Sequence, residues 1–583
     1  MDLESYGQTI RVVTTCLAFL LLVTRQAPTR DLKPDTWVAT DGLGRQVWAG
    51  TKLRENRTVG MFYFLTNRAP NAPIYDITKL LAADPKNPKY GPYGSSHWWG
   101  EPWLGYYQSD DPAVIRKHMA MLSNAGVDVL VFDNTNGPTY PDVYIPLCKV
   151  LEEMKAQGLK APQIAFFTGH GAWNTLEQDF YSKGIYRDLW FQWKGKPLMM
   201  VHLESNDVLP AAIKDRFSVR ESWAWTPSAW FGDGHDKWPW LDNYPQNFGW
   251  HEDPKRPEEV SVTVGQHATS SIGRSSSAQH EPPVDDQKLT PRTAEGVCFA
   301  QQFERALQID PEFVFVTGWN EWTATRFRQE RDGIMAGRPE PAAGTFFVDE
   351  YNAEFSRDIE PAKGLLQDDY YYQLVSFVRR YKGSREVGAI TQRDIQLNSG
   401  FGQWNAVEPT YLDAVGDPVR RDHAGWGTEH YVNQTGRNDI VAAKVAYDSK
   451  NVSFYVRTKD PISPHTDPSW MLLFINIGGT YTKGWLGYDF VVDRHPAAGG
   501  TSLEGNAAGG YAWRQAQTVG YRVKGNELMI VIPRKLLGLA KGKHVIDFKW
   551  ADNIAQSGDP SDFTLNGDSA PDDRFNYRAF IRS

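Results

Sequence analysis

The 583-residue chain is poor in cysteine, with only Cys16, Cys148 and Cys298, and no CxxC pair or cysteine–histidine cluster at zinc spacing. A disulfide-dense scaffold and a small zinc fold are therefore excluded, and the latter two cysteines read as buried thiols. Positive charge is also short: 62 lysines and arginines stand against 70 aspartates and glutamates, a formal charge of −8. A long-range field of that sign repels a polyanion, so nucleic acid is not an expected partner. No apolar run reaches the roughly 20 residues of a bilayer-spanning helix, so no membrane span is expected. The nearest approach, Val12, Val13 and residues 17–23 between Arg11 and Arg25, has the length of an export leader's apolar segment, although Asp2 and Glu4 make its start acidic. Residues 1–30 are accordingly expected to be a leader, and the protein to be exported, periplasmic or secreted. No glycine-rich phosphate fingerprint follows the first apolar strand, and no internal repeat is visible by eye. No redox or nucleotide cofactor is implied.

What the chain does have is aromatic rings, 13% of residues, with 22 tryptophans. Indole and phenol faces pack against the C–H patches of sugar rings, and a large aromatic core would use the same residues. From about residue 59 to 385, short apolar runs alternate with amphipathic segments, the rhythm of repeated βα units. Strands are expected at 59–65, 127–133, 163–168, 198–203, 218–225, 260–266 and 313–319. Asp111 followed by Pro112 reads as a helix start, Ile115, Met119 and Leu122 as its apolar stripe, and Gly126 as its stop. Further helices are expected around 144–154 and 293–307. The 269–291 segment, rich in Ser, Gly, Pro, Gln and Asp, reads as an exposed loop. After about 385 strands take over, at 441–447, 452–457, 470–477, 488–492, 521–523, 528–532 and 545–550, with turn residues between neighbours. The expected architecture is multidomain: a (β/α)8 TIM barrel over 31–385, followed by an all-β sandwich over 386–583.

In such a barrel, catalytic groups project from the C-terminal ends of strands. The run Val314-Phe-Val-Thr-Gly-Trp-Asn-Glu-Trp322 delivers Asn320 and Glu321 between Trp319 and Trp322, and Asp133 ends another buried strand ahead of Asn136. Glycosidic cleavage needs two carboxyl groups, one to protonate the leaving oxygen and one to activate water or attack carbon. Asp133 and Glu321 are the expected pair, with desolvation beside the indoles raising the pKa of Glu321. The alternatives are a loop cap for Asp133 and an arginine partner, such as Arg326, for Glu321. The ring-dense stretch 96–107 adds Glu101 as a third acid, with His97, Trp98, Trp99, Tyr106 and Tyr107 as sugar contacts. His170, His202 and Glu204 occupy similar strand-end positions, and Trp223, Trp225, Trp230, Trp238 and Trp240 suggest a binding wall.

Three stretches resemble the broad group of glycoside hydrolase family 99-like and family 71-like proteins, including WbsX-type domains: Tyr106-Tyr-Gln-Ser-Asp-Asp-Pro-Ala-Val-Ile-Arg-Lys-His118, Ala125-Gly-Val-Asp-Val-Leu-Val-Phe-Asp133 and Gly318-Trp-Asn-Glu-Trp322. The stretch Phe347-Val-Asp-Glu-Tyr-Asn-Ala-Glu-Phe-Ser-Arg-Asp-Ile-Glu-Pro361 is similar to a segment in uncharacterised members. Family 99 enzymes act on α-mannosides with retention, and the resemblance implies two glutamates in an Asn-Glu-Trp-His-Glu run. The first maps onto Glu321; the second falls on Ala324, so another carboxylate must take its role or the barrel is silent. The C-terminal region is similar to a family 9 carbohydrate-binding module or a DOMON-type sandwich, on Gly436-Arg-Asn-Asp-Ile-Val-Ala-Ala-Lys-Val445 and Gly484-Trp-Leu-Gly-Tyr-Asp-Phe-Val-Val-Asp-Arg494. There Trp426, Trp470 and Trp485 are a candidate sugar platform or core, and Asp439 and Asp489 candidate ligands of a structural calcium. The expectation is an exported glycoside hydrolase acting on a carbohydrate substrate; the rivals are a catalytically silent glycan-binding protein and a polysaccharide lyase.

Overall fold

The computed structural model describes residues 29–47, 52–224, 228–266, 272–277, 291–328, 345–347, 349–506, 508–539, 542–554 and 558–581. Residues 1–28 of the expected leader, Cys16 among them, Trp225 and most of the expected 269–291 loop lie outside these residues.

Beside one short antiparallel strand (Gln192–Trp193), seven parallel strands make the eight-stranded first sheet: β1 (Thr58–Tyr63), β2 (Val129–Asn134), β3 (Gln163–Thr168), β4 (Lys196–Val201), β5 (Ser218–Glu221), β6 (Glu259–Thr263) and β7 (Phe313–Thr317). Their spatial order is 5-4-3-2-1-7-6, so the sheet curls and the first strand is bracketed by the second and the last. Among the described residues no ladder joins β5 to β6. Among the described residues the sheet curls like part of a barrel without closing into the expected (β/α)8 barrel, because an irregular segment lies beside β5 where a further parallel strand would pair. Lys237 and Leu241 make only isolated parallel bridges to Glu221 and Ala224.

Parity along the strands sorts the core. Phe62, Val129, Val131, Phe167, Met200 and Phe315 form one cluster with Trp238 and Trp240 that contains no helix residue. The alternate residues along the same strands, Leu130, Phe132, Val314 and Val316, face the helical shell instead. The period-2 alternation thus puts Asp133 on the same face as Val129 and Val131, at the C-terminal rim.

The helices follow from local chemistry. In α1 (Pro112–Ala125) the Asp111 carboxylate accepts from the Ala113 and Val114 N–H groups, and Gly126 ends the helix at φ 86°, where a side chain would be strained. Helix α2 (Pro141–Ala156) packs beside it, and α3 (Val297–Ile309) starts only after Gly296, so the expected 293–307 helix is broken there. Helix α4 (Asp369–Lys382) is the last before the all-β region.

That region is built from two sheets that share one long strand. Trp513–Lys524 pairs with Thr501–Asn506 through its first half and with Glu527–Pro533 through its second. Trp426, Trp470 and Trp485 are all buried. Trp426 packs on Trp98, Trp470 on Tyr521 and Trp485 on Phe474 and Phe563, so packing among rings, rather than a sugar platform, accounts for them. Among the described residues no helix is long and apolar enough to cross a membrane.

Candidate functional site

The site is assembled around Arg357. This guanidinium is fully buried and faces three carboxylates: Glu321 Oε2 at 2.7 Å from Nη2 and 3.2 Å from Nε, Glu350 Oε1 at 3.3 Å from Nε, and Asp349 at 3.4 Å from Nη2. Its cation lies 5.0 Å above the Trp240 ring. The partner of Glu321 is thus Arg357; Arg326 instead donates to the Gly91 carbonyl and stacks on Tyr93. Burial pushes Glu321 and Glu350 well above the ordinary carboxylate range, with Arg357 opposing and neighbouring acids adding to the rise. Arg357 opposes that burial without offsetting it, so Glu321 and Glu350 favour the protonated form and titrate together.

Asp358 supports this arrangement from behind. It accepts from the Glu321 N–H and from Trp99 Nε1 at 2.7 Å, and burial pushes it up to about 6. Glu360 does the same one step further back, where Oε2 accepts from Tyr107 and Trp322 at 2.7 and 2.6 Å and Oε1 lies 3.0 Å from His118 Nε2. His118 in turn meets the Tyr63 hydroxyl at 2.9 Å.

Asp133 sits 6% exposed at the end of β2, and its Oδ1 accepts from the Thr135 N–H and hydroxyl at 3.0 and 2.7 Å. Burial raises its pKa, the Thr135 bonds oppose, and the charges of Asp349 and Arg357 both reach it. Asp133 and Glu321 therefore share one electrostatic neighbourhood. The side chain of Asp349, whose charge reaches both, is 33% exposed.

The remaining candidates divide into core and rim. His97 is buried, stacked on Tyr75, accepting from the Gly91 N–H at 2.9 Å, and pushed down to about 4 by burial. Trp98, Trp99, Trp319 and Trp322 are buried, Trp99 and Trp322 stacking at 4.5 Å. Tyr106 donates to Asp76 at 2.6 Å, and Asn320 pairs with the Phe64 backbone through both its amide atoms. Glu101 is clamped at 2.5 Å by both Lys79 and Lys363, whose charges hold its carboxyl below the ordinary range despite partial burial. Ala324 packs against Ile77, Phe347, Tyr351 and Phe355, which leaves no cleft there for a carboxylate. At the rim, Asn136 is exposed, His170 lies 3.5 Å from Glu204, and His202 stacks on Trp223 at 3.8 Å with burial lowering its pKa. Trp230 stands under Lys237, 5.0 Å from its ring centre. Trp238 and Trp240 belong to the sheet's inner core instead.

The residues that sequence reasoning missed are Arg357, Asp349, Glu350, Asp358 and Glu360. All come from one segment folded back over the strand ends, and its signal is five acids and one arginine within residues 349–360. The described part of the expected 269–291 loop is also less exposed than its composition suggests. Arg274 is fully buried there, 4.4 Å from the Tyr370 ring centre and donating to the Asp358 carbonyl.

No family model matches the chain, and no curated protein does. Solved structures similar to it include a GH99 endo-α-mannosidase from Bacteroides thetaiotaomicron, at 15% identity and TM-score 0.33, covering 58% of this chain and 100% of that one. The same activity in complex with bis-tris propane matches at 16% identity and TM-score 0.31, over 57% and 98%. A glycoside hydrolase-like protein matches at 11% identity and TM-score 0.30, over 57% and 96%.

Proposed function

We propose that the chain is a glycoside hydrolase that cleaves O-glycosyl bonds at the C-terminal rim of its parallel sheet, with Glu321 and Asp133 as the reacting carboxyls. The observation that carries this reading is the convergence of Glu321, Glu350 and Asp349 on one buried arginine, with Glu321 and Glu350 raised by burial and a further raised carboxyl, Asp133, in the same field. Arg357 occupies Oε2 of Glu321, which leaves Oε1 to carry the proton given to the leaving oxygen. Asp133 then activates water or attacks the anomeric carbon, as the chemistry requires of its second carboxyl. Trp223 and Trp230 offer ring faces at the rim for sugar stacking.

The test is reducing-sugar release from a broad polysaccharide panel. Glu321→Gln and Asp133→Asn should each lower kcat at least about 10³-fold while binding persists. An aryl glycoside with a good leaving group should rescue Glu321→Gln and leave Asp133→Asn slow, because only the former lacks a proton donor. Binding without release by the native protein would favour the silent glycan-binding reading, which the burial of Glu321 behind Arg357 itself suits. Ultraviolet-absorbing unsaturated products would indicate a lyase.

A further inference from the structure

A second group of acids lies where the all-β region meets helix α1, far along the chain from the candidate site. Asp413, Asp417 and Asp568 each present a carboxylate oxygen, and the three oxygens lie within 4.8 Å of one another. Calcium binds oxygen at about 2.3–2.6 Å, so two ligands of one ion stand at most about 5 Å apart. The spacing therefore matches a shared calcium ion.

Two further facts point inward to a ligand. Asp413 is fully buried and its Oδ2 has no hydrogen-bond partner; Oδ1 of Asp417 is buried and unpartnered as well. The outer oxygens are held in place instead, with the Tyr577 hydroxyl 3.5 Å from Asp413 Oδ1 and the Ile440 N–H donating to Asp568 Oδ2 at 2.6 Å. Unpaired buried carboxylates are costly, and adjacent ones repel. The nearby cations do not cancel them: among the described residues none forms an ion pair with these three aspartates. Lys549 donates to the Pro571 carbonyl, and Arg30 to the carbonyls of Asp413 and Val441. Asp439 adds another unpartnered buried oxygen, Oδ1, beside the group. Asp489, which accepts from the Ile477 N–H at 2.7 Å, does not join it.

We propose that Asp413, Asp417 and Asp568 bind one calcium ion, which fastens the all-β region to α1. An all-oxygen donor set selects a hard cation over zinc or copper. Helix α1 closes the site from the other side, through Asn124, which donates to Asp572 Oδ2 at 2.9 Å, and through the charge of Lys117.

The experiment uses the full chain stripped with EGTA and titrated with Ca²⁺ by calorimetry and thermal melting. One ion per chain and a rise in Tm of about 5 °C or more at saturating Ca²⁺ are expected. Asp417→Asn should lose both the uptake and the rise while melting no lower than the stripped native protein, since it removes repulsion. Asp413→Asn should behave alike, and Asp489→Asn should respond as the native chain does. If Asp413→Asn fails to fold, Asp417→Asn alone decides. Uptake below about a tenth of an equivalent, or uptake that survives Asp417→Asn, overturns the proposal. So does a Tm rise shared equally by Mg²⁺, which prefers shorter bonds and a stricter octahedron.

Discussion

At the scale of single residues, Arg357 is the group on which the most charge depends. Replacing it by Met leaves Glu321 and Glu350 buried without a counter-charge, and removing one partner of a buried ion pair costs about 3–5 kcal/mol. The loss has a definite pH dependence. Without Arg357 the two carboxyls take up protons in the folded state at a higher pH than in the unfolded chain, so the folded state binds more protons above the unfolded pKa. The same holds more weakly in the native protein, where burial already raises both carboxyls and Arg357 opposes that rise, so the deficit opens above their native, already raised pKa values and is smallest below them. Urea denaturation of Arg357→Met between pH 4.5 and 8 checks this; a loss independent of pH would contradict it. Asp493 offers a cleaner case in the all-β region. It is 1% exposed, has Thr501 as its polar neighbour with neither oxygen in good hydrogen-bond geometry, and is pushed up to about 8 by burial. The folded chain keeps this proton where the unfolded chain loses it, so Asp493 costs stability increasingly as pH rises from about 4 to 8. Asp493→Asn, which tolerates the residue's φ of 77°, should raise stability at pH 8 by on the order of 3 kcal/mol and flatten the slope of Tm against pH. An unchanged slope would show that the carboxyl is already ionised at low pH.

At the scale of elements, helix α1 shows how far sequence carries and where it stops. The Asp111 cap, Pro112 and Gly126 are readable because each acts within a turn of its own position. Unreadable was the second use of the cap: Asp111 Oδ2 also accepts from Arg421 Nε at 2.7 Å, on a hairpin 310 residues later. Asp111→Ala should lower stability by about 2–4 kcal/mol, combining a lost cap with a broken buried ion pair. Asp111→Asn keeps the cap and loses only the ion pair, so it should fall between Asp111→Ala and the native protein. Combining Asp111→Ala with Arg421→Ala should cost less than the two separately, which a double-mutant cycle reads directly. The site divides along the same line. Asp133 and Glu321 were legible because they end buried strands, where parity and the apolar run locate them. Arg357, Asp349 and Glu350 were not, because an acid-rich loop folding back onto strand ends has no periodic signature. His97 and Trp98, expected as sugar contacts in the ring-dense stretch 96–107, and Trp322, which flanks Glu321, are accounted for instead by burial among other rings.

At the scale of the whole molecule, the seven parallel strands of the first sheet were all visible as apolar runs, and so were the central strands of the all-β region; the short antiparallel strand Gln192–Trp193 was not. The gap between β5 and β6 was not, since Lys237 to Leu241 lies beside β5 as a strand would while making only isolated bridges. Nor was the degree to which the two regions are joined. Arg574 and Asp368, both buried, pair at 3.0 Å across that boundary, and Arg574 also donates to the Thr40 carbonyl. Val38 bridges to Asn576, the Tyr372 hydroxyl accepts from the Arg574 N–H, and Phe575 packs on Trp37, Tyr371 and Tyr372. The N-terminal segment 29–47 and the C-terminal strands thus share a core with α4. Contacts between independently stable domains are usually more polar and weaker than this. Calorimetry of the full chain should therefore show one unfolding transition for both regions, with Arg574→Ala and Phe575→Ala each lowering its Tm. Cutting the chain near residue 385 should leave an all-β fragment that is insoluble or melts well below the intact protein, because Phe575 and the Asp572–Arg574 turn would face water. Two resolved transitions, or a fragment as stable as the whole, would mean that this shared core contributes little and that the regions fold as separate units.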